Sequence, residues 1–423
     1  MNRALLKNRS FVFLISAQTV SNMGDWFNIL ALMTLLALKW NASPFALSAA
    51  MLCLAVPNIF LGSLSGVIAD RFNRKYLMIA TDILRAIVVI GIIFSNHLWQ
   101  VYSLLCLLTI FSSLFQPAKE GKLRELVDND LLQSAVATSE LINNGTKVIG
   151  PMISGVLVAT VGVEWSFYLD SFSFILSALL LLLIPGKHLA EAAIETTNEK
   201  GSNGFWSQFS AGFHFIKTKP QLLTGMIVFC IMLFSLQICD SQFPILLREI
   251  PSHPIRLLGW VMAGSGLGTV IAALYLNNKE IHSALKALST GACLVGTGYI
   301  LCAAFIHIPV MILMISYPIV GTILGFSFGL GVIHFNVMAQ KTTPNHFTGR
   351  VFGTIGSATT LAAVIGILSG GIISKLFGAV FTFILSGVLL ILVGIIVYIG
   401  RRTFEGGNGI AESNGGTHQQ TQE

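Results

Sequence analysis

Twelve apolar segments follow one another along this 423-residue chain, at 10–38, 44–69, 76–95, 99–117, 132–160, 164–185, 220–247, 254–277, 284–305, 309–336, 347–375 and 378–400. A helix needs about 20 such residues to cross the hydrocarbon core of a bilayer. Segments longer than that can tilt or project beyond the lipid. Composition agrees with repeated crossing. Lys and Arg number 25 and Asp and Glu 19, about 10% of the chain, against 54% hydrophobic residues. Soluble domains carry roughly 25% charged residues, and disordered chains are poor in apolar ones. The expected fold is an all-α integral membrane protein with twelve transmembrane helices.

The net charge of +6 is spread over short clusters between the apolar runs, so it marks topology and not a nucleic-acid surface. With the N-terminus in the cytoplasm, 19 Lys and Arg fall on the cytoplasmic side and 4 on the other, while Arg85 and Lys147 lie within spans. That asymmetry puts both termini in the cytoplasm. The six cysteines (53, 106, 230, 239, 293 and 302) lie in apolar runs without paired loop spacing. They read as packing thiols, with no disulfide, metal or cofactor expected. The first apolar run is too long for a cleavable signal peptide and lacks a small-residue cleavage site.

The polar stretch from Gly186 to about Asn203 divides the spans six and six. Residues 1–185 are therefore expected to form an N-terminal six-helix bundle and 220–402 a second. A cytoplasmic linker, 186–219, includes an interfacial helix over Phe205–Lys219. A disordered tail covers 403–423. The halves repeat weakly. Gly150 to Gly155 matches Gly366 to Gly371 at an offset of 216, Gly162 matches Gly378 at the same offset, and Asp25 faces Asp240 at 215. The pattern points to two pseudo-symmetric bundles made by duplication.

Ionisable groups within spans are costly and tend to be functional. Asp25 lies about 22 Å into span one at 1.5 Å per residue, with Asp240 in span seven and Asp170 early in span six. Glu140, Asn144, Lys147 and Pro151 recur on one face of span five. Two readings stay open for Asp25. It lines a central cavity with Asp170 or Asp240 and exchanges protons, or Lys147 forms a fixed buried ion pair with it or with Asp170. Asp82 and Arg85, three residues apart in span three, can pair with each other.

Between spans two and three the chain reads Gly66-Val-Ile-Ala-Asp70-Arg71-Phe-Asn73-Arg74-Lys75. It resembles the loop signature of the major facilitator superfamily, with Asn73 in place of the second glycine, since Asn tolerates a left-handed turn. The alternative is a basic loop that only sets topology. In span five, Thr146, Gly150, Pro151, Ser154 and Gly155 resemble the motif of the family's exporters, although Thr146 and Ser154 stand where glycine is preferred. Small residues there let helices approach and the proline bends the helix; generic packing is the plainer reading. Gly24-Asp25-Trp26, Phe115-Gln116-Pro117-Ala118-Lys119 and Gly349-Arg350-Val351-Phe352-Gly353 resemble the branch containing macrolide efflux proteins and the enterobactin exporter.

The resemblance covers about residues 10–400. It implies secondary active export from a bacterial cytoplasm across the inner membrane, with a small amphipathic substrate, protons and membrane lipids as partners and a monomeric protein. It also implies a gating role for the Gly66–Lys75 loop. Span four has no arginine, which many antiporters of the family place there for proton coupling. A siderophore or lysophospholipid exporter is the same-class alternative, and a non-transporting membrane sensor the other. No catalytic constellation emerges, so an enzyme is not expected.

Overall fold

The computed structural model describes Leu5 and residues 7–185, 205–250, 255–276, 283–344 and 347–405. Most of the linker (186–204) and of the tail (406–423) lies outside the described residues. Helices α1 (Arg9–Thr34), α2 (Pro44–Arg71), α3 (Arg74–Ile93), α4 (Leu98–Leu126), α5 (Asn129–Thr160) and α6 (Val163–Leu182) build the first bundle. A shorter helix, α7 (Phe205–Thr218), precedes α8 (Pro220–Arg248), α9 (Ile255–Leu276), α10 (Ala284–Ala304), α11 (Val310–Thr342), α12 (Thr348–Phe377) and α13 (Ala379–Glu405).

The two sets of six use the same internal pairings. In the first, α1 packs on α5 and α6, α4 on α2 and α3, and α3 on α6. In the second, α8 packs on α12 and α13, α11 on α9 and α10, and α10 on α13. Local signals repeat as well. Gly162 before α6 and Gly378 before α13 have φ of +96° and +86°, a region that residues with a Cβ rarely adopt.

Among the described residues, ten helices are long and apolar enough to cross a membrane. The two long helices that fall short of the expected twelve are α1 and α5, which carry Gln18, Asn22, Asp25 and Asn28, and Glu140, Asn143, Asn144 and Lys147. Their polar groups meet one another. Ser139 Oγ donates to Gln18 Oε1 (2.9 Å), Gln18 Nε2 to the Ser139 carbonyl (3.2 Å), Asn22 Nδ2 to Thr146 Oγ1 (3.4 Å) and Ser154 Oγ to the Trp26 carbonyl (2.8 Å). Interhelical polar contacts of this kind offset the cost of polar side chains inside a membrane protein.

The bundles meet where α5 runs along α9 and α2 along α12. Gly155 and Gly259 bring α5 and α9 to backbone contact, and Gly371 of α12 lies against Ser48 and Phe45 of α2. Beside that contact, Gln242 Nε2 of α8 donates to Ser48 Oγ (3.0 Å). These contacts lie toward the end of the bundles that carries the α1–α2, α5–α6 and α12–α13 connections, called the closed end below. Helix α7, expected at the membrane interface, docks on α12: Gly212 abuts Arg350 and Thr354, Ile216 is buried, and Phe215 stacks on Phe347 with ring centroids 5.3 Å apart.

Candidate functional site

A cavity of about 320 Å³ lies between the bundles, lined by α1, α2 and α5 from one and by α8, α9 and α12 from the other. These are equivalent helices under the repeat. Trp26, Ile29, Leu30, Met33, Met51, Leu54 and Met262 make most of the wall apolar, while Gln237, Asp240, Ser241 and Ser154 add polar groups. Such a lining suits a ligand with a large apolar body and a few polar points.

The span-five motif shapes this wall. Gly150 lies directly against the Trp26 indole, where a side chain would collide with it. Pro151 and Ser154 face the cavity, Thr146 is buried against Asn22, and Gly155 makes the contact with α9. One, two and three turns from Pro151 on the same face, Lys147, Asn144 and Glu140 are all exposed.

Asp25 is not on the cavity wall. Its charged neighbours are Arg85 and Asp82 of α3 and Asp170 of α6. Gly24 lets α1 approach α6 closely enough to touch Asp170 and Ser173. Asp170 is fully buried and accepts from Asn28 Nδ2 at 2.8 Å. Asp170 Oδ1 and Asn28 Oδ1 have no partner among the described residues. Asp82 pairs with Arg85 and accepts from Ser177 Oγ at 2.7 Å. The guanidinium is sandwiched between Phe115 of α4 and Phe174 of α6, 4.5 and 4.4 Å from the ring centroids, a placement that favours a desolvated cation. The interior of the first bundle thus gathers three carboxylates and one guanidinium from three helices.

Three sequence expectations change here. Lys147 is exposed and makes no ion pair among the described residues, so the fixed pair with Asp25 or Asp170 does not form. The cation beside these acids is Arg85, because α3 and not α5 packs on the side of α6 that carries Asp170 and Ser177. Asp240 and Asp25 are not equivalent, since Asp240 lines the cavity. Their offset of 215 is one short of the 216 that the glycines follow, and one residue turns a helix by about 100°. Asn73 is not left-handed: at φ −64° it caps the N-terminus of α3, its side chain accepting from the Lys75 amide at 3.1 Å.

Around Asn73 the basic residues bind within their own bundle. Arg74 pairs with Glu125 (2.8 Å), and buried Lys75 donates to the Leu182 and Ile184 carbonyls at 2.9 and 2.6 Å, capping α6. Arg71 is exposed, Gly66 is half-buried, and the Asp70 side chain lies outside the described residues. His334 of α11 bonds the Leu330 carbonyl of its own helix at 2.8 Å. Sequence reading named Trp26 only within the Gly24-Asp25-Trp26 motif, not as a cavity residue, and did not single out Asn28. The polar spacing Gln18, Asn22, Asp25, Asn28 along an apolar helix was the available signal.

Two pseudo-symmetric bundles enclosing a cavity lined by equivalent helices define a membrane transporter, not an enzyme. The chain belongs to the Major Facilitator Superfamily, whose profile matches residues 15–367. It is 39% identical over 408 residues to the uncharacterized MFS-type transporter YfiS of Bacillus subtilis (strain 168), covering 96% of each chain. It is 20% identical over 365 residues to macrolide efflux protein A of Streptococcus pyogenes, covering 84% of this chain and 87% of that one. The fold resembles the crystal structure of the nucleoside transporter NupG, with a TM-score of 0.66 at 15% identity over 94% of this chain and 98% of that one.

Proposed function

We propose that the protein is a secondary active exporter of amphipathic organic compounds of drug or macrolide type, working by alternating access with protons as the counter-transported ion. The observation that carries this reading is Asp240 on the wall of a mostly apolar cavity between the bundles. Leu, Met and Trp side chains accommodate an apolar body of variable shape, and a carboxylate there engages its polar end or a proton. The name of the macrolide efflux relative supports the same class.

Asp25 and Asp170 are the proposed proton carriers. They lie together in the first bundle, where Asp170 keeps an unpartnered acceptor oxygen among the described residues, and buried ionisable groups of this kind commonly serve proton relays. Glu140 and Lys147, on the α5 face that continues from the cavity, border the route to it, and the Gly66–Lys75 loop gates the opposite end. The basic-residue asymmetry orients the closed end away from the cytoplasm, with both termini inside, in a bacterial inner membrane. The protein works as a monomer in contact with lipid.

The test is uptake of a fluorescent amphipathic dye by everted vesicles from cells expressing the protein. Accumulation above empty-vector vesicles that collapses when the pH gradient is dissipated is the expected result. Accumulation indifferent to the gradient would remove the proton, and none for any of a panel of amphiphiles would remove the substrate class.

A further inference from the structure

We propose that Arg248 is a positioning residue of the transport cycle. From the end of α8 it caps the C-terminus of α1 in the opposite bundle, and this cap holds the bundles together at the closed end. The last carbonyls of a helix have no amide partner within it, and they form the negative pole of the helix dipole. In α1 this end is irregular. The helix passes into a π-helical turn, Leu35–Lys39, is capped by Trp40, and is followed by Asn41, whose φ is +49°. π-Turns leave backbone groups out of the regular ladder and often mark functional places.

Arg248 Nε donates to the Ala37 carbonyl and Nη2 to the Ala42 carbonyl, each at 2.6 Å. The planar guanidinium can reach two carbonyls at once, which an ammonium on a single point cannot match. The lysine of the same turn does not compete, because Lys39 is bonded to Glu164 at 2.8 Å. Six residues earlier on α8, Gln242 binds Ser48 Oγ and the Pro44 carbonyl at 3.0 and 3.3 Å. One helix thus grips both sides of the α1–α2 connection.

The chemistry suits a contact that must open. Glycine-on-glycine packing at Gly155 gains only close van der Waals contact, whereas a half-buried guanidinium and two carbonyls form charge-assisted hydrogen bonds. Parting them at a water-facing end lets water replace each partner. The repeat supplies no second copy: at the offset of 216, Arg248 corresponds to Leu32, which is buried in α1. The latch is therefore one-sided.

The proposal rests on the alternating-access reading, but its test needs no substrate. Spin-labelled p-acetylphenylalanine is placed at the exposed positions Asn96 and His307, one on each bundle at the closed end, in the full chain in nanodiscs. Pulsed dipolar spectroscopy reads the distance between them. In the parent the short distance should dominate. Arg248→Ala should shift the distribution to a longer distance, and Arg248→Lys should shift it part of the way. A distribution in Arg248→Ala that superimposes on the parent, even with lowered thermal stability, would reduce Arg248 to a structural cap and overturn the proposal. If Arg248→Ala does not insert, Arg248→Gln decides by the same two outcomes. Longer distances without dye export would keep the latch and sink the exporter reading; export with unchanged distances would do the reverse.

Discussion

Gly155 and Gly371, 216 positions apart, make the same contact in opposite directions: Gly155 of the first bundle rests on Gly259 of α9, and Gly371 of the second rests on Ser48 of α2. The inner pair follows the rule too, with Gly150 against Trp26 of α1 and Gly366 against Phe234 and Gln237 of α8. In each of the glycine pairs Gly150 with Gly155 and Gly366 with Gly371, one member faces the helix's own bundle and the other faces the opposite bundle.

Gly155→Val and Gly371→Val should act alike, prising the bundles apart at the closed end at a cost of about 1–3 kcal/mol of overpacking. Labels at Asn96 and His307 should separate in both variants, and dye export should fall. Parent-like export by either valine variant would show that the close approach is dispensable.

Gly150→Leu acts on the cavity instead. A leucine occupies the seat of the Trp26 indole and pushes it into the space a substrate would fill. Export should be lost while membrane insertion persists, and Gly150→Ala should be milder. Restored export in a Gly150→Leu, Trp26→Ala double variant would locate the damage at the indole. A double variant no better than the single one would place the fault in α5 itself.

For Asp82 and Arg85 the prediction concerns folding. Removing one partner of a buried ion pair strands the other, at roughly 3–5 kcal/mol. Arg85→Met and Asp82→Asn should each lower the thermal midpoint of the purified protein sharply. The double variant should recover part of the loss, because Met packs between Phe115 and Phe174 without a charge to satisfy. Strictly additive losses would mean that the pair is not an energetic unit.

Asp25→Asn and Asp170→Asn should each preserve insertion and substrate exchange but abolish gradient-driven accumulation, with residual transport less dependent on pH. Lys147→Met should leave stability unchanged and rescue neither, since Lys147 is exposed and unpaired among the described residues. Gradient-driven accumulation by Asp25→Asn would transfer the role to Asp170 or Asp240.

Much of this was legible in the sequence, because lipid imposes length and apolarity on each span separately. The six-and-six division, the Asp82–Arg85 pair and the glycine repeat are local or periodic features. What sequence could not supply depended on which helices become neighbours. Asp25 and Arg85 are 60 positions apart, and only the packing of α1, α3 and α6 brings their charges together. Lys147 offered a nearer cation by spacing alone, and its orientation on α5 removed it. The same polar residues that flagged α1 and α5 as functional made them the weakest spans, so one physical property was both the signal and the obstacle.

The polarity of α1 has a consequence for how the protein is made. A carboxylate at the middle of an isolated span raises the cost of insertion by about 3 kcal/mol, and α1 adds Gln18, Asn22 and Asn28 to Asp25. The groups that satisfy Gln18, Asn22 and Asn28 are Ser139, Thr146 and Asp170, more than a hundred residues downstream. During synthesis α1 must wait for α5 and α6 before its side chains find partners. Biogenesis should therefore hold α1 beside the insertion machinery until α6 arrives, and a chain truncated after α4 should release it poorly into lipid.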